Sequence, residues 1–261
     1  MKTVAAVPID RCVTAVGTLF GSVFQRIELW RDAVAEYAEA HPGTATRTEI
    51  DALIQTAVAQ ELTGDARSII GAGYVAEPGF ITDARWHLAW WLGDLNTFGM
   101  GSDAPRIRRL DAIEDPDSES FRDYTSLEWW RVPARTGQRH ITGPYVDYLC
   151  TDEYTLTLTT PVFHRNVMIG VTGADLYVAD VERSMLPAMQ AVDANVTLVN
   201  DAGRVVLSTD LHLATGALLR ADGLLEALHQ LDGPIADPTH LPDGRRIVGC
   251  PDTGLALLVE G

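Results

Sequence analysis

Between Phe121 and Asp175 the chain gathers aromatic rings, among them Tyr124, Trp129, Trp130 and Tyr145, and carboxylates, among them Asp123, Asp147 and Asp175. An indole or phenol ring presents a negative π face that attracts an ammonium group by roughly 0.5–2 kcal/mol. A carboxylate adds a charge-assisted hydrogen bond to the same group. Rings and acids together suit a small pocket that receives a cation. Asp175 follows an apolar run, Val167 to Gly173, and an acid placed there is costly to bury without a partner. It therefore either caps the next helix or contacts a ligand. The tryptophans suit a core equally well, and the residues by themselves leave both readings open.

Other motifs carry less. Gly71-Ala72-Gly73-Tyr74-Val75-Ala76 matches the dinucleotide fingerprint GxGxxA. That fingerprint works only where a strand opens into a helix, and Glu77-Pro78-Gly79 forbids the helix. Two glycines in a crowded strand explain it better. No GxSxG, SxxK, P-loop or HExxH occurs. His87, His140 and His164 do not group at metal-ligand spacing, so no catalytic residue, metal or cofactor is expected. A hydrolase built on Asp147 and His140 is the weaker alternative.

Composition bounds the class. The 261 residues carry 36 acidic against 20 basic side chains, a net charge of -16. Such a surface repels phosphate backbones and anionic lipid, so neither nucleic acid nor a membrane surface is an expected partner. At 46% hydrophobic and 21% charged the chain has material for a full core. Cys12, Cys150 and Cys250 lie far apart and are odd in number, which reads as three small buried hydrophobes in a reducing compartment. No stretch reaches the ~18 apolar residues of a membrane span. A cytoplasmic protein without membrane insertion is expected.

The elements that must position the acids and rings follow from periodicity. Apolar residues spaced three and four apart from Cys12 to Ala40 predict one long helix, ended by His41-Pro42-Gly43. Thr46 and Glu49 form a capping box that opens a second helix, closed at Gly64. Strands are expected at 67–76, 85–92, 138–141, 154–160 and 167–173, the last two joined at His164-Arg165-Asn166. A loop with one short strand near 106–110 fills 93–120, and a helical turn falls at 126–131. Pro144 to Asp147 is expected to bend. A helix at 179–191 leads to two hairpins, 195–208 and 245–259, with a helix at 218–231 between them. The reading is α+β, with an N-terminal helical segment 1–65, a first sheet module 66–187 holding the pocket, and a smaller module 188–261.

An aromatic pair after a helix, then Pro144-Tyr145-Val146-Asp147, an alternating strand ending Thr160-Pro161-Val162, and Gly170-Val171-Thr172-Gly173-Ala174-Asp175 together resemble the double Cache domains of bacterial sensors. The resemblance is clearest from Trp129 to Val181 and extends to the first helix and the final unit. It implies a long N-terminal helix and two PAS-like antiparallel modules, the first binding the ligand. The amino-acid-binding version of the family has an Arg two residues before its aromatic pair, and here that position is Leu127. Its Tyr and Asp match Tyr145 and Asp147, and its second Asp matches Asp175. The resemblance thus implies a non-enzymatic sensor for an amine, polyamine or quaternary ammonium compound, with an amino acid as the alternative if Arg122 or Arg131 replaces the missing Arg. The ligand set it implies is Trp129, Trp130, Tyr145, Asp147 and Asp175, with Tyr124 and Asp123 beside them. Readout through a homodimer along the first helix or through a separate signalling partner fits the same resemblance.

Overall fold

Helical spacing of apolar residues produces α1 (Pro8–Ala40) and α2 (Arg47–Thr63). The computed structural model describes residues 8–63, 68–96, 98, 105–148, 150–230 and 239–260; the expected helix stop at Gly64 lies outside them. The Thr46 hydroxyl donates to Glu49 Oε2 at 2.6 Å, so the expected box opens α2. Ile50, Ile54, Val58 and Leu62 form its buried stripe. Among the described residues no helix is long and apolar enough to cross a membrane.

The chain divides into two units. One comprises Val23–Thr142 and Val146–Tyr177; the other comprises the start of the chain through Ser22, Gly143–Tyr145, and Val178 onward. The first contains a six-stranded sheet made of β1 (Ile69–Ala76), β2 (Leu88–Leu92), β3 (Arg108–Arg109), β4 (His140–Val146), β5 (Tyr154–His164) and β6 (Val167–Tyr177). Their spatial order is β3-β2-β1-β6-β5-β4. A 3-10 turn at Tyr124–Ser126 and α3 (Glu128–Thr136) lie between β3 and β4. The second unit contains α4 (Val178–Met189), β7 (Val196–Asn200), β8 (Val205–Ser208), α5 (Leu224–His229), β9 (Thr239–His240), β10 (Arg246–Cys250) and β11 (Leu255–Val259). Its sheet order is β8-β7-β11-β10-β9. The architecture is the expected α+β one, a long N-terminal helix with two antiparallel sheets.

Several elements differ from expectation for identifiable reasons. The β5–β6 hairpin turns at Arg165 and Asn166, both at positive φ, and its strands are eleven residues long each. β6 therefore runs four residues past Gly173, and Asp175 sits inside the strand instead of capping a helix. β4 continues through Pro144 to Val146, where a bend was expected. α3 extends to Thr136 before Gly137 ends it in the left-handed region. The helix expected at 218–231 shrinks to α5. The backbone before it is taken up by pairing, Val205 N–H to the Ala217 carbonyl and Leu219 N–H to that of Gly203. Gly223, at φ 76°, then starts the shorter helix.

In the first unit one sheet face is closed by helices. The Thr172 hydroxyl on β6 donates to the Ile27 carbonyl of α1 at 3.3 Å. α2 packs against β1 and β2. His87, fully buried before β2, ties α2 to the connection after β3. Its Nε2 lies 3.0 Å from Asp51 Oδ1, and its Nδ1 lies 3.0 Å from Glu114 Oε1. Arg109 reaches both acids, at 3.4 and 3.5 Å. Burial pushes the imidazole pKa down, but the two carboxylates outweigh it and the net shift is upward. A raised pKa contributes stability that is complete below the ordinary histidine value and is lost as pH rises through the folded value. His87→Gln is therefore expected to cost about 2 kcal/mol at pH 6 and clearly less at pH 9, read by chemical denaturation at both.

Candidate functional site

The opposite face of this sheet carries the acids and rings. Strand register sets Leu92, Gly71, Asp175 and Thr157 side by side across β2, β1, β6 and β5. The neighbouring row is Trp90, Gly73, Gly173 and Thr159. Glycine in the second row is required by close approach. A Cβ on Gly73 would stand 2.1 Å from the Ala89 carbonyl oxygen, and one on Gly173 would stand 2.7 Å from that of Leu158 and 3.2 Å from Trp90 Cη2. Trp90 Nε1 in turn lies beside Gly71. The indole thus lies across bare backbone, and its N–H donates to Asp175. The glycines of the fingerprint-like stretch make room for a ring.

Asp175 is 3% exposed. The Thr157 hydroxyl donates to its Oδ1 at 2.6 Å. Asp147 approaches from the turn after β4, where the N–H groups of Cys150 and Thr151 donate to its carbonyl at 3.1 and 2.8 Å. The Cys150 thiol lies between the two acids, 3.3 Å from Asp147 Oδ2 and 3.9 Å from Asp175 Oδ2. Burial first, and the negative charge of Asp147 second, raise the Asp175 pKa to about 8, against the hydrogen bonds from Thr157, Trp90 and Cys150. Burial and the same two acids push the Cys150 thiol far up, so it stays protonated. Among the described residues no group of three or more His, Cys, Asp or Glu is arranged to hold a metal ion.

The turn that carries Asp147 is held from outside. Asn96, fully buried, donates its amide to the Cys150 carbonyl at 2.8 Å. Arg108 of β3 grips Asn96 in turn, donating to its backbone carbonyl and its Oδ1, each at 2.9 Å. Sequence reading passed over Cys150, Asn96, Thr157 and Arg108. The available signal was Cys150 itself, three residues after Asp147, a spacing that a tight turn folds back on the acid.

The rings form a contiguous cluster. Tyr124 contacts Trp86, Trp129 and Trp130 at centroid distances of 5.0, 6.3 and 5.2 Å. Phe121 meets Trp86 edge-on at 4.9 Å. Trp130 and Tyr124 are buried with Trp90, Val75 and Val171, while Trp129 remains partly exposed. The Thr159 hydroxyl fastens α3 to β5 through the Trp129 carbonyl at 2.8 Å. The Tyr124 hydroxyl donates to the Ala76 carbonyl at 2.6 Å. Asp123 is exposed, and its Oδ1 caps the 3-10 turn by accepting from Thr125 N–H at 2.8 Å. Tyr145 is half-buried on β4, in the three residues grouped with the second unit. The structure therefore brings Asp147 and Asp175 together, gathers Tyr124, Trp129 and Trp130, and leaves Asp123 on the outside.

The cations named from sequence lie elsewhere. Arg131 is exposed, and Arg122, also exposed, donates to the Phe121 and Glu119 carbonyls. Leu127 stands at the N-cap of α3 with no side-chain cap. Arg108 acts electrostatically on Cys150. His140 pairs with Glu128 at 3.0 Å.

Residues 61–183 match the family model described as methyl-accepting chemotaxis protein-like, first PDC sensor domain. No curated protein matches the chain. Solved structures share its fold over nearly its whole length. The extracellular domain of the putative histidine kinase mmHK1S-Z3 is 14% identical, with a TM-score of 0.61 over 98% of this chain and 94% of that one. The ligand-binding domain of Pseudomonas fluorescens chemoreceptor CtaA, in complex with L-isoleucine, is 19% identical, with a TM-score of 0.52 over 96% and 87%. That of Campylobacter jejuni chemoreceptor Tlp3, in complex with L-valine, is 12% identical, with a TM-score of 0.55 over 97% and 88%. The matches are to sensor domains of chemoreceptors and kinases.

Proposed function

We propose that this chain, which carries a PDC (Cache-type) sensor domain, recognises a small molecule with a protonated amine, an α-amino acid with an apolar side chain being the first choice. The observation that carries the reading is Asp175, a buried acid beside Asp147 whose hydrogen-bond partners among the described residues, Thr157, Trp90 and Cys150, are all neutral. An ammonium entering there would receive charge-assisted hydrogen bonds from both carboxylates. The aromatic cluster around Tyr124 and Trp129 would take the ligand's apolar part. The L-isoleucine and L-valine complexes of two similar domains support the amino-acid choice.

A specific observation favours a second reading. Leu127 offers no charge for a ligand carboxylate, and Arg122 and Arg131 are turned to other partners or to solvent. A simple alkylamine fits that arrangement with no group left unpaired. Thermal shift against L-isoleucine, L-valine, their decarboxylated amines and a betaine separates the two. A ligand at 100 times its Kd should add about 2.7 kcal/mol to stability. Response to the amino acids alone supports the first reading, and response to the alkylamines alone supports the second. Silence across the panel would sink both.

A further inference from the structure

We propose that Asn96 is a positioning residue of this site: by fixing the turn that carries Asp147 it holds that acid beside Asp175, and ligand affinity depends on it. This rests on the reading of the site as an ammonium receptor and adds what sets its geometry.

Asp147 stands one residue past β4, which ends at Val146, and β5 begins only at Tyr154. The connection folds back on the acid, whose carbonyl accepts from Cys150 and Thr151 N–H. Tyr148, the residue after it, is 80% exposed and lends the turn no packing. The Cys150 carbonyl accepts from Asn96 Nδ2 at 2.8 Å, a bond between residues 54 apart in sequence. The Cys150 thiol lies 3.3 Å from Asp147 Oδ2 and 3.9 Å from Asp175 Oδ2, so holding Cys150 sets the placement of both acids. Asn96 is itself fixed. Its Oδ1 accepts from Phe98 N–H at 3.1 Å and from Arg108 Nη2 at 2.9 Å, and its backbone carbonyl accepts from Arg108 Nη1 at 2.9 Å. Its own N–H donates to the Gly93 carbonyl at 3.1 Å. Arg108 is in register with Leu92, so these bonds anchor in the β2–β3 edge of the sheet. The guanidinium charge strengthens the bonds it donates. Position 96 asks for a side chain that donates on one edge and accepts on the other, which an amide does and a carboxylate or an aliphatic chain does not. The residue is 0% exposed, where such bonds are costly to leave unmade. A binding site of this kind works only when its polar groups are held within about 0.5 Å.

Asn96→Ala and Arg108→Lys test it, and neither changes the net charge. Hydrogen exchange on the free protein reads the turn. In Asn96→Ala the Cys150 and Thr151 amides should lose about tenfold or more of their protection, while the amides of β5 and β6 keep theirs. Calorimetry with L-isoleucine and with 2-methylbutylamine reads the consequence. Whichever probe wild type binds should bind Asn96→Ala about tenfold or more weakly, the cost of one unmade buried hydrogen bond. Arg108→Lys keeps the charge but loses the rigid fork that spans both Asn96 oxygens. It should give the same two changes at smaller size, and it carries the test if Asn96→Ala does not fold. Action through Asp147 further requires that Asn96→Ala cost less than about twofold in an Asp147→Asn background. Unchanged protection at Cys150 and Thr151, unchanged affinity, or a loss that simply adds to that of Asp147→Asn overturns the proposal. Binding of neither probe by wild type, with the exchange result intact, overturns the positioning role together with the amine reading.

Discussion

Asp175→Asn is expected to abolish ligand binding while making the empty protein more stable at neutral and alkaline pH. The loss follows from removing one partner of a buried charge pair, which costs about 2–5 kcal/mol, or roughly 30-fold to several thousand-fold in Kd. The gain follows from the sign of the shift. Asp175 is raised from the ordinary aspartate range to about 8 in the folded chain. Between those values the folded state keeps a proton that the unfolded state has lost, so wild-type stability falls as pH rises through that window. Asparagine does not titrate. The variant should therefore gain on wild type by on the order of 3–5 kcal/mol between pH 4 and pH 8, an upper range for a fully buried acid. Paired denaturation curves across that span read both signs in one experiment. A variant that loses stability relative to wild type as pH rises would contradict the electrostatics of the site.

Trp90→Ala is expected to have the largest effect on the fold. The indole is 6% exposed, covers Gly173, and donates to Asp175. Removing it opens a cavity over backbone that carries no side chains to collapse into it. Such truncations cost about 3–5 kcal/mol, which lowers Tm by roughly 10 °C for a chain of this size. Trp90→Phe restores most of the packing but not the N–H. It should recover most of the stability and leave the Asp175 midpoint higher than in wild type, because one hydrogen bond that favours the charged form is gone. Equal Tm losses in both variants would show that the hydrogen bond, and not the ring, holds the sheet face together.

Much of this arrangement was legible in the residues. Period-two alternation from Tyr154 onward located β5, and the Arg165–Asn166 turn followed from its position between two strands. Thr46 and Glu49 announced the start of α2. Asp175 could be singled out because an acid after an apolar run demands a reason, and Asp147 through the resemblance of Pro144-Tyr145-Val146-Asp147. The remainder depends on contacts distant in sequence. Nothing local says that Trp90 would lie across Gly173, more than eighty residues later, or that Asn96 would hold the Cys150 turn. The extra length of β6 depends on pairing with β1 and β5, so Asp175 was read as standing beyond a strand it lies within. Asp123 looked like its fellow acids by type, and only the 3-10 turn at Tyr124 shows its carboxylate engaged as a cap.

The most direct test of the site compares three molecules of one shape by calorimetry: L-isoleucine, 2-methylbutylamine, and the 2-hydroxy acid that replaces the amine of isoleucine with a hydroxyl. At least one of the two amines should bind wild type and fail to bind Asp175→Asn, and the hydroxy acid should bind neither. Binding of the hydroxy acid to wild type as tightly as L-isoleucine would contradict an ammonium site at Asp147 and Asp175.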